Sequence, residues 1–215
     1  MHINKDDKLK TGTTTVAAIG KDCIVLAADM QATLGNMSYD QEAQKLYKIT
    51  DYTALTNAGV VGDSLTIIRF LKSHASMYEI ERETEMTPKA MASLLSTVLN
   101  SNRFYPYIVQ FLLAGYLDKP ELYEITPEGG VLERKQYAVS GSGTMFAMSV
   151  FDQGYKSNLA EKELVELAIK AVMSSKKRDI YTGGKSISVM VLRKKKIEEL
   201  SEEDVTKIIN QIKSN

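Results

Sequence analysis

A chain of 215 residues with 44% hydrophobic and 25% charged content is long enough for one large domain that buries its apolar surface without disulfides or metals. Lysine plus arginine and aspartate plus glutamate both number 27, so no basic excess points to nucleic acid or to an anionic membrane surface. The single cysteine, Cys23, rules out an intrachain disulfide and fits a reducing, cytoplasmic setting, and no apolar stretch approaches the roughly 20 residues of a membrane helix.

Residues 1–12, MHINKDDKLKTG, are polar, lack the apolar core of a signal peptide and end in glycine. They read as a leader ahead of a domain spanning 13–215. The β-branched and small run TTTVAAI then opens a strand, and a turn at 20–22 leads to a second strand, 23–28, closing at Asp29. Short strands are expected at 46–49 and 53–58. From 63 to 83 the apolar residues recur every three or four positions, which predicts an amphipathic helix. Thr87-Pro88 opens a second helix, with threonine as N-cap and proline at the first helical position, running to about 104. Strands follow at 107–116, 122–125, 130–132 and 136–139. Helices are predicted at 144–152 and 160–177, a strand at 187–192, and a last helix at 201–212. Strands in blocks and helices in pairs argue against βαβ winding. They predict an α+β chain in which helix pairs cover antiparallel sheets.

Two local motifs are decoys. Gly183-Gly184-Lys185-Ser186 resembles the end of a phosphate-binding loop, but Asp179 stands where that motif requires glycine, and a strand follows it instead of a helix. Ser140-Gly141-Ser142-Gly143 lacks the first glycine of a nucleophile elbow. Only two histidines exist, His2 and His74, so neither a serine triad nor a zinc site is supported, and no metal or cofactor is expected.

The informative region is the end of the leader. Lys10-Thr11-Gly12-Thr13-Thr14-Thr15-Val16 is followed by Asp29 at a strand end, by Lys45 before Leu46-Tyr47-Lys48-Ile49, and by Ala58-Gly59-Val60-Val61-Gly62-Asp63 before a helix. Ser140-Gly141-Ser142-Gly143 and Lys177-Arg178-Asp179-x-x-Thr182-Gly183-Gly184 come later in the same order. In order and spacing this set resembles the β-subunits of archaeal-type 20S proteasomes, over residues 11–200. The resemblance implies the N-terminal nucleophile hydrolase fold, a four-layer αββα sandwich of two antiparallel sheets between helix layers. It also implies autocleavage between Gly12 and Thr13, which turns an inert precursor into a threonine endopeptidase.

The implied chemistry suits those residue types. A threonine hydroxyl needs a base, and an N-terminal threonine carries its own, because an α-amine has a pKa of about 7.7–8.0. Thr13 would be both nucleophile and base. By the resemblance, Lys45 would lower the proton affinity of the Thr13 hydroxyl, Asp29 would pair with Lys45, and the Gly59 N–H would form the oxyanion hole. Ser142, Asp179 and Thr182 would hold the amine and a water, with Thr182 standing where serine is frequent and Ala17 where glycine is common. Ala32, Thr33, Ala43, Tyr47, Asn57 and Val61 match the substrate pocket. Small residues at 32 and 43 beside the polar Asn57 imply cleavage after bulky apolar or mixed residues. The implied partners are proteasome α-subunits, other β-subunits in a heptameric ring, an ATP-dependent unfoldase acting indirectly, and unfolded polypeptide substrates. Two alternatives stay open: an unprocessed structural ring subunit, which would typically lack the nucleophile or the Lys–Asp pair, and a bacterial-type two-component threonine peptidase, whose chains are usually shorter.

Overall fold

The computed structural model describes residues 12–35 and 37–214; the expected leader, apart from Gly12, lies outside the described residues. In chain order the elements are β1 (Thr14–Ile19), β2 (Ile24–Asp29), β3 (Ala32–Leu34), β4 (Met37–Asp40), β5 (Leu46–Lys48), β6 (Thr53–Gly59), α1 (Val61–Arg82) and α2 (Pro88–Ser101). They continue with β7 (Val109–Tyr116), β8 (Pro120–Ile125), β9 (Val131–Arg134), β10 (Tyr137–Gly141), α3 (Thr144–Gly154), α4 (Glu161–Lys176), β11 (Ile187–Arg193), β12 (Lys196–Glu199) and α5 (Glu202–Ser214).

The strands form two five-stranded antiparallel sheets, ordered β10-β1-β2-β11-β12 and β5-β6-β7-β8-β9, with β3 and β4 paired apart as a hairpin. Side-chain alternation along these strands sets the layers. In β1 and β2, Val16, Ala18, Val25 and Ala27 face the helices α3, α4 and α5, where they pack with Phe151, Leu164, Ala168 and Val205. Their neighbours Ala17, Ile24, Leu26 and Ala28 face the other way and meet Leu46, Ala54, Leu112, Ala114 and Leu122 of the second sheet. The outer face of that sheet, through Leu55, Phe111 and Leu113, packs under Ile67, Leu71, Met91 and Leu95 of α1 and α2. Both faces of the inner strands β1, β2, β6, β7 and β11 are therefore dry, which is why these strands read as continuous apolar runs instead of alternating ones. The result is the α+β, four-layer αββα sandwich.

The order of strands and helices agrees with the expectation, and the differences are local. Helix α1 begins at Val61, two residues earlier than expected. No side chain caps it, so no capping residue marked its start. Asp63, within its first turn, instead accepts the Ile108 backbone N–H at 2.9 Å and ties the helix to the approach of β7. Strands β3, β4 and β12 were not expected; each has only three or four residues, none of them buried, so none carries a clear apolar period, whereas β11, with which β12 pairs, falls where a strand was expected. Thr87 caps α2 as expected, accepting from the Ala90 N–H at 3.2 Å.

Register places four chain segments at one end of the first sheet. Thr14 pairs with Gly141, the last residue of β10, and Asp29, the last of β2, pairs with Ile187, the first of β11.

Cys23 lies at the start of this sheet's core, 1% exposed. Burial, reinforced by Glu161, pushes its thiol up from 9.0 to about 11. The unfolded thiol ionises first, so the stability it contributes is intact below pH 9 and is lost as pH rises through the folded value near 11. A disulfide reagent at pH 8 should therefore modify Cys23 only as fast as the chain unfolds; rapid stoichiometric labelling of the native protein would contradict this burial.

Candidate active site

Asp29 is fully buried, and a carboxylate there must be compensated or protonated. It is compensated by donors from four segments. Its Oδ1 accepts from the Thr14 N–H at 2.9 Å and from Lys45 Nζ at 2.7 Å. Its Oδ2 accepts from the Gly183 N–H at 2.9 Å and the Gln31 N–H at 3.2 Å. Lys45 is 5% exposed and sits immediately before β5, so the second sheet supplies the cation and the first the anion. Burial pushes the Lys45 ammonium below its ordinary value, while the charge and hydrogen bond of Asp29, and more distantly Asp179, pull it back up.

Thr13 lies one residue before β1 and is buried. Its Oγ1 donates to the Gly12 carbonyl oxygen at 2.5 Å, and its N–H donates to Ser142 Oγ at 3.2 Å. Ser142, at the turn between β10 and α3, donates a hydrogen bond from its own hydroxyl to Asp179 Oδ2 at 2.5 Å. The same carboxylate oxygen takes the Thr182 hydroxyl at 2.5 Å. With that proton committed, the 2.7 Å contact between Thr14 and Thr182 hydroxyls has Thr14 as donor. One chain of hydrogen bonds thus links Thr13, Ser142, Asp179, Thr182 and Thr14. Threonine at 182 keeps the hydroxyl in place for both of its bonds, despite its extra methyl.

Gly59 closes β6 with φ of 144°, and a Cβ added there would lie 2.1 Å from the Ile108 carbonyl oxygen, so only glycine fits. It lines a cleft with Thr13, Lys45, Ala32, Thr33, Ala43, Asn57 and Val61. Asn57 is anchored from α1, where Ser64 donates to its Oδ1 at 2.5 Å. Tyr47 departs from the expected pocket. It is not among the cleft-lining residues; it packs against the core beneath α1 and α2, and its hydroxyl donates to the Gln44 carbonyl at 2.9 Å. Leu46 fills the space between the sheets, so the next residue of β5 points the opposite way, toward the helix-side core.

The residues singled out from sequence, Tyr47 apart, thus gather around Thr13. Gln31, Gly183 and Thr14 were missed. Gln31 and Gly183 contribute backbone N–H groups, which no residue type announces. Thr14 was concealed within the Thr13-Thr14-Thr15 run. A hollow of about 470 Å³ between β8, β10 and α3 is set apart from this cluster, and its Arg134 is tied to Glu124 by a 2.6 Å ion pair.

Asp29→Asn would leave the buried Lys45 ammonium without its counter-charge, at a cost of about 3–5 kcal/mol. Urea unfolding of the variant should show a loss of that size; a change under 1 kcal/mol, on the order of a surface pair, would mean that Asp29 is not the anchor of this cluster.

The family model for proteasome subunits matches residues 9–192. The chain is 41% identical over 205 residues to a "Proteasome subunit beta" of Methanocaldococcus fervens, covering 94% of this chain and 91% of that protein. It is 43% identical over 193 residues to a "Proteasome subunit beta 2" of Thermococcus gammatolerans, covering 90% and 96%. With a "Proteasome subunit beta 1" of Pyrococcus horikoshii it shares 44% identity over 190 residues, covering 88% and 96%. The chain belongs to the proteasome subunit family, as a β-type member.

Proposed function

We propose that this β-subunit is a threonine endopeptidase of the 20S core particle, and that it frees its own nucleophile by cutting between Gly12 and Thr13. The observation that carries the reading is the placement of Thr13 Oγ1 2.5 Å from the Gly12 carbonyl oxygen, beside the buried Lys45–Asp29 pair. In the first reaction Thr13 Oγ1 attacks the Gly12 carbonyl carbon, forming a C–O bond. The C–N bond breaks as the Thr13 nitrogen takes up the proton that the hydroxyl gives away. Water hydrolyses the resulting ester, residues 1–12 leave with a Gly12 carboxylate, and residues 13–215 remain as the mature catalytic domain.

The Thr13 α-amine then exists for the first time. With a pKa of about 7.7–8.0 it is partly neutral near physiological pH and accepts the Oγ1 proton during attack on a peptide carbonyl. Ser142, which holds the Thr13 nitrogen in the uncut chain at 3.2 Å, is placed to hold the amine with Asp179 and Thr182 behind it. Lys45 favours the ionised hydroxyl, and the Gly59 N–H receives the developing oxyanion. The acyl-enzyme is released by water. No cofactor or metal is needed in this scheme.

Membership of the β-type branch implies assembly with α-subunits in the core particle. The β-subunits would form a heptameric ring, with unfolded polypeptides delivered to an enclosed chamber by an ATP-dependent unfoldase in the cytoplasm. The cleft beside Thr13, with Ala32, Thr33, Ala43, Asn57 and Val61, would receive the side chain before the cut bond, favouring bulky apolar or mixed residues.

Thr13→Ala, assembled with its α-subunit partners, should retain residues 1–12 by intact mass and show no peptide hydrolysis. A fully trimmed, active alanine variant would refute the nucleophile assignment. Lys45→Ala should still assemble while peptide turnover falls roughly 10²–10³-fold, the usual cost of one preorganised electrostatic group. Unchanged turnover would remove Lys45 from the mechanism.

A further inference from the structure

We propose that Tyr181 is a positioning residue for cleavage of the Gly12–Thr13 bond, a wall that seats Gly12 before the cut and holds nothing afterwards. The inference rests on the self-processing reading above. Gly12 is buried. A Cβ built on it would lie 1.6 Å from Tyr181 Cβ, 2.6 Å from Cγ and 2.7 Å from Cα. Non-bonded carbons normally stay about 3.5–4.0 Å apart, so one face of Gly12 is closed by the root of the tyrosine side chain.

The wall is itself anchored. The Tyr181 N–H donates to Asp179 Oδ1 at 3.3 Å, while Asp179 Oδ2 takes the Ser142 hydroxyl. Ser142 in turn accepts the Thr13 N–H. A single carboxylate therefore governs both sides of the bond to be cut: Thr13 nitrogen through Ser142, and Gly12 through Tyr181. The reacting carbonyl lies between them. Glycine is the residue with the greatest backbone freedom, and an intramolecular attack loses rate steeply when its two partners drift by an ångström. A wall against Gly12 removes that freedom, and the closeness of the wall is the reason that no larger residue fits at position 12. Once residues 1–12 leave, Tyr181 has lost its neighbour, and hydrolysis of other peptides does not call on it.

The test follows full-length chains assembled with their α-subunit partners, recording intact mass against time and then small-peptide turnover per processed chain. Tyr181→Gly, which removes the Cβ and ring that close this face of Gly12, should release residues 1–12 roughly ten- to a hundredfold more slowly than the unaltered chain. Tyr181→Phe, which keeps Cα, Cβ and the ring, should process at the unaltered rate. Gly12→Ala, which meets the same wall from the other side with Tyr181 intact, should also process slowly. Turnover per processed chain should be the same for both Tyr181 variants as for the unaltered chain. Processing of Tyr181→Gly or Gly12→Ala at the unaltered rate would overturn the inference. So would a matching loss of turnover per processed chain in Tyr181→Gly, which would mean that the residue only orders the Asp179 loop. If the unaltered chain itself keeps residues 1–12, the self-processing reading fails, and this inference with it.

Discussion

A carboxylate removed from water loses hydration worth several kcal/mol, and Asp29 is removed completely. Its two oxygens recover that loss only because donors arrive from the start of β1, from the residue before β5, from the loop after β2 and from the loop before β11. Each donor depends on the others, since a missing one leaves a buried lone pair or a buried ammonium without a partner. The cluster therefore acts as a single unit: if one segment shifts, Lys45, Thr14 and the loop carrying Asp179 and Thr182 lose their common reference. This interdependence holds the side chains around Thr13 to fixed positions through hydrogen bonds and one buried ion pair.

Two sheets have to meet closely for that cluster to form. Thr13, Asp29 and Ser142 belong to ends of the first sheet, whereas Lys45, Asn57 and Gly59 come from the second. The layer between the sheets is lined by Ala17, Ala28, Ala54, Ala114 and Ala138 among larger residues, and small side chains allow a close approach. Next to the site, hydroxyls cross the gap: Thr15 of β1 contacts Thr56 of β6 at 3.0 Å and Ser140 of β10 at 2.7 Å. Thr56 also accepts the Leu112 N–H at 3.1 Å. These buried hydroxyls are all paired, so they fix the relative position of the sheets without an unsatisfied polar group.

The hydroxyl chain from Thr13 to Thr14 illustrates how proton counting assigns direction. Asp179 Oδ2 is an acceptor only, so Ser142 and Thr182 must both donate to it. Ser142 is then left as an acceptor toward the Thr13 N–H.

Much of this was legible in the residues. The switch from the polar residues 1–12 to TTTVAAI, the unbroken apolar runs of strands buried on both faces, and the Thr87-Pro88 helix start each follow from local chemistry. The set of side chains around Thr13 came instead through the resemblance to proteasome β-subunits, because their types and order are distinctive only together. Other features were settled only in three dimensions. Tyr47 turned to the helix-side core because its direction depends on where Leu46 packs, and helix α1 started early because tertiary contacts replaced a cap. The β3–β4 hairpin is too short and too exposed to leave a pattern. The Gly183 N–H that completes Asp29 stands 154 residues away, and the wall against Gly12 comes from Tyr181. Backbone donors look alike at every position, and contacts across such separations are made by the packing of the two sheets; residue type and period carry no record of either.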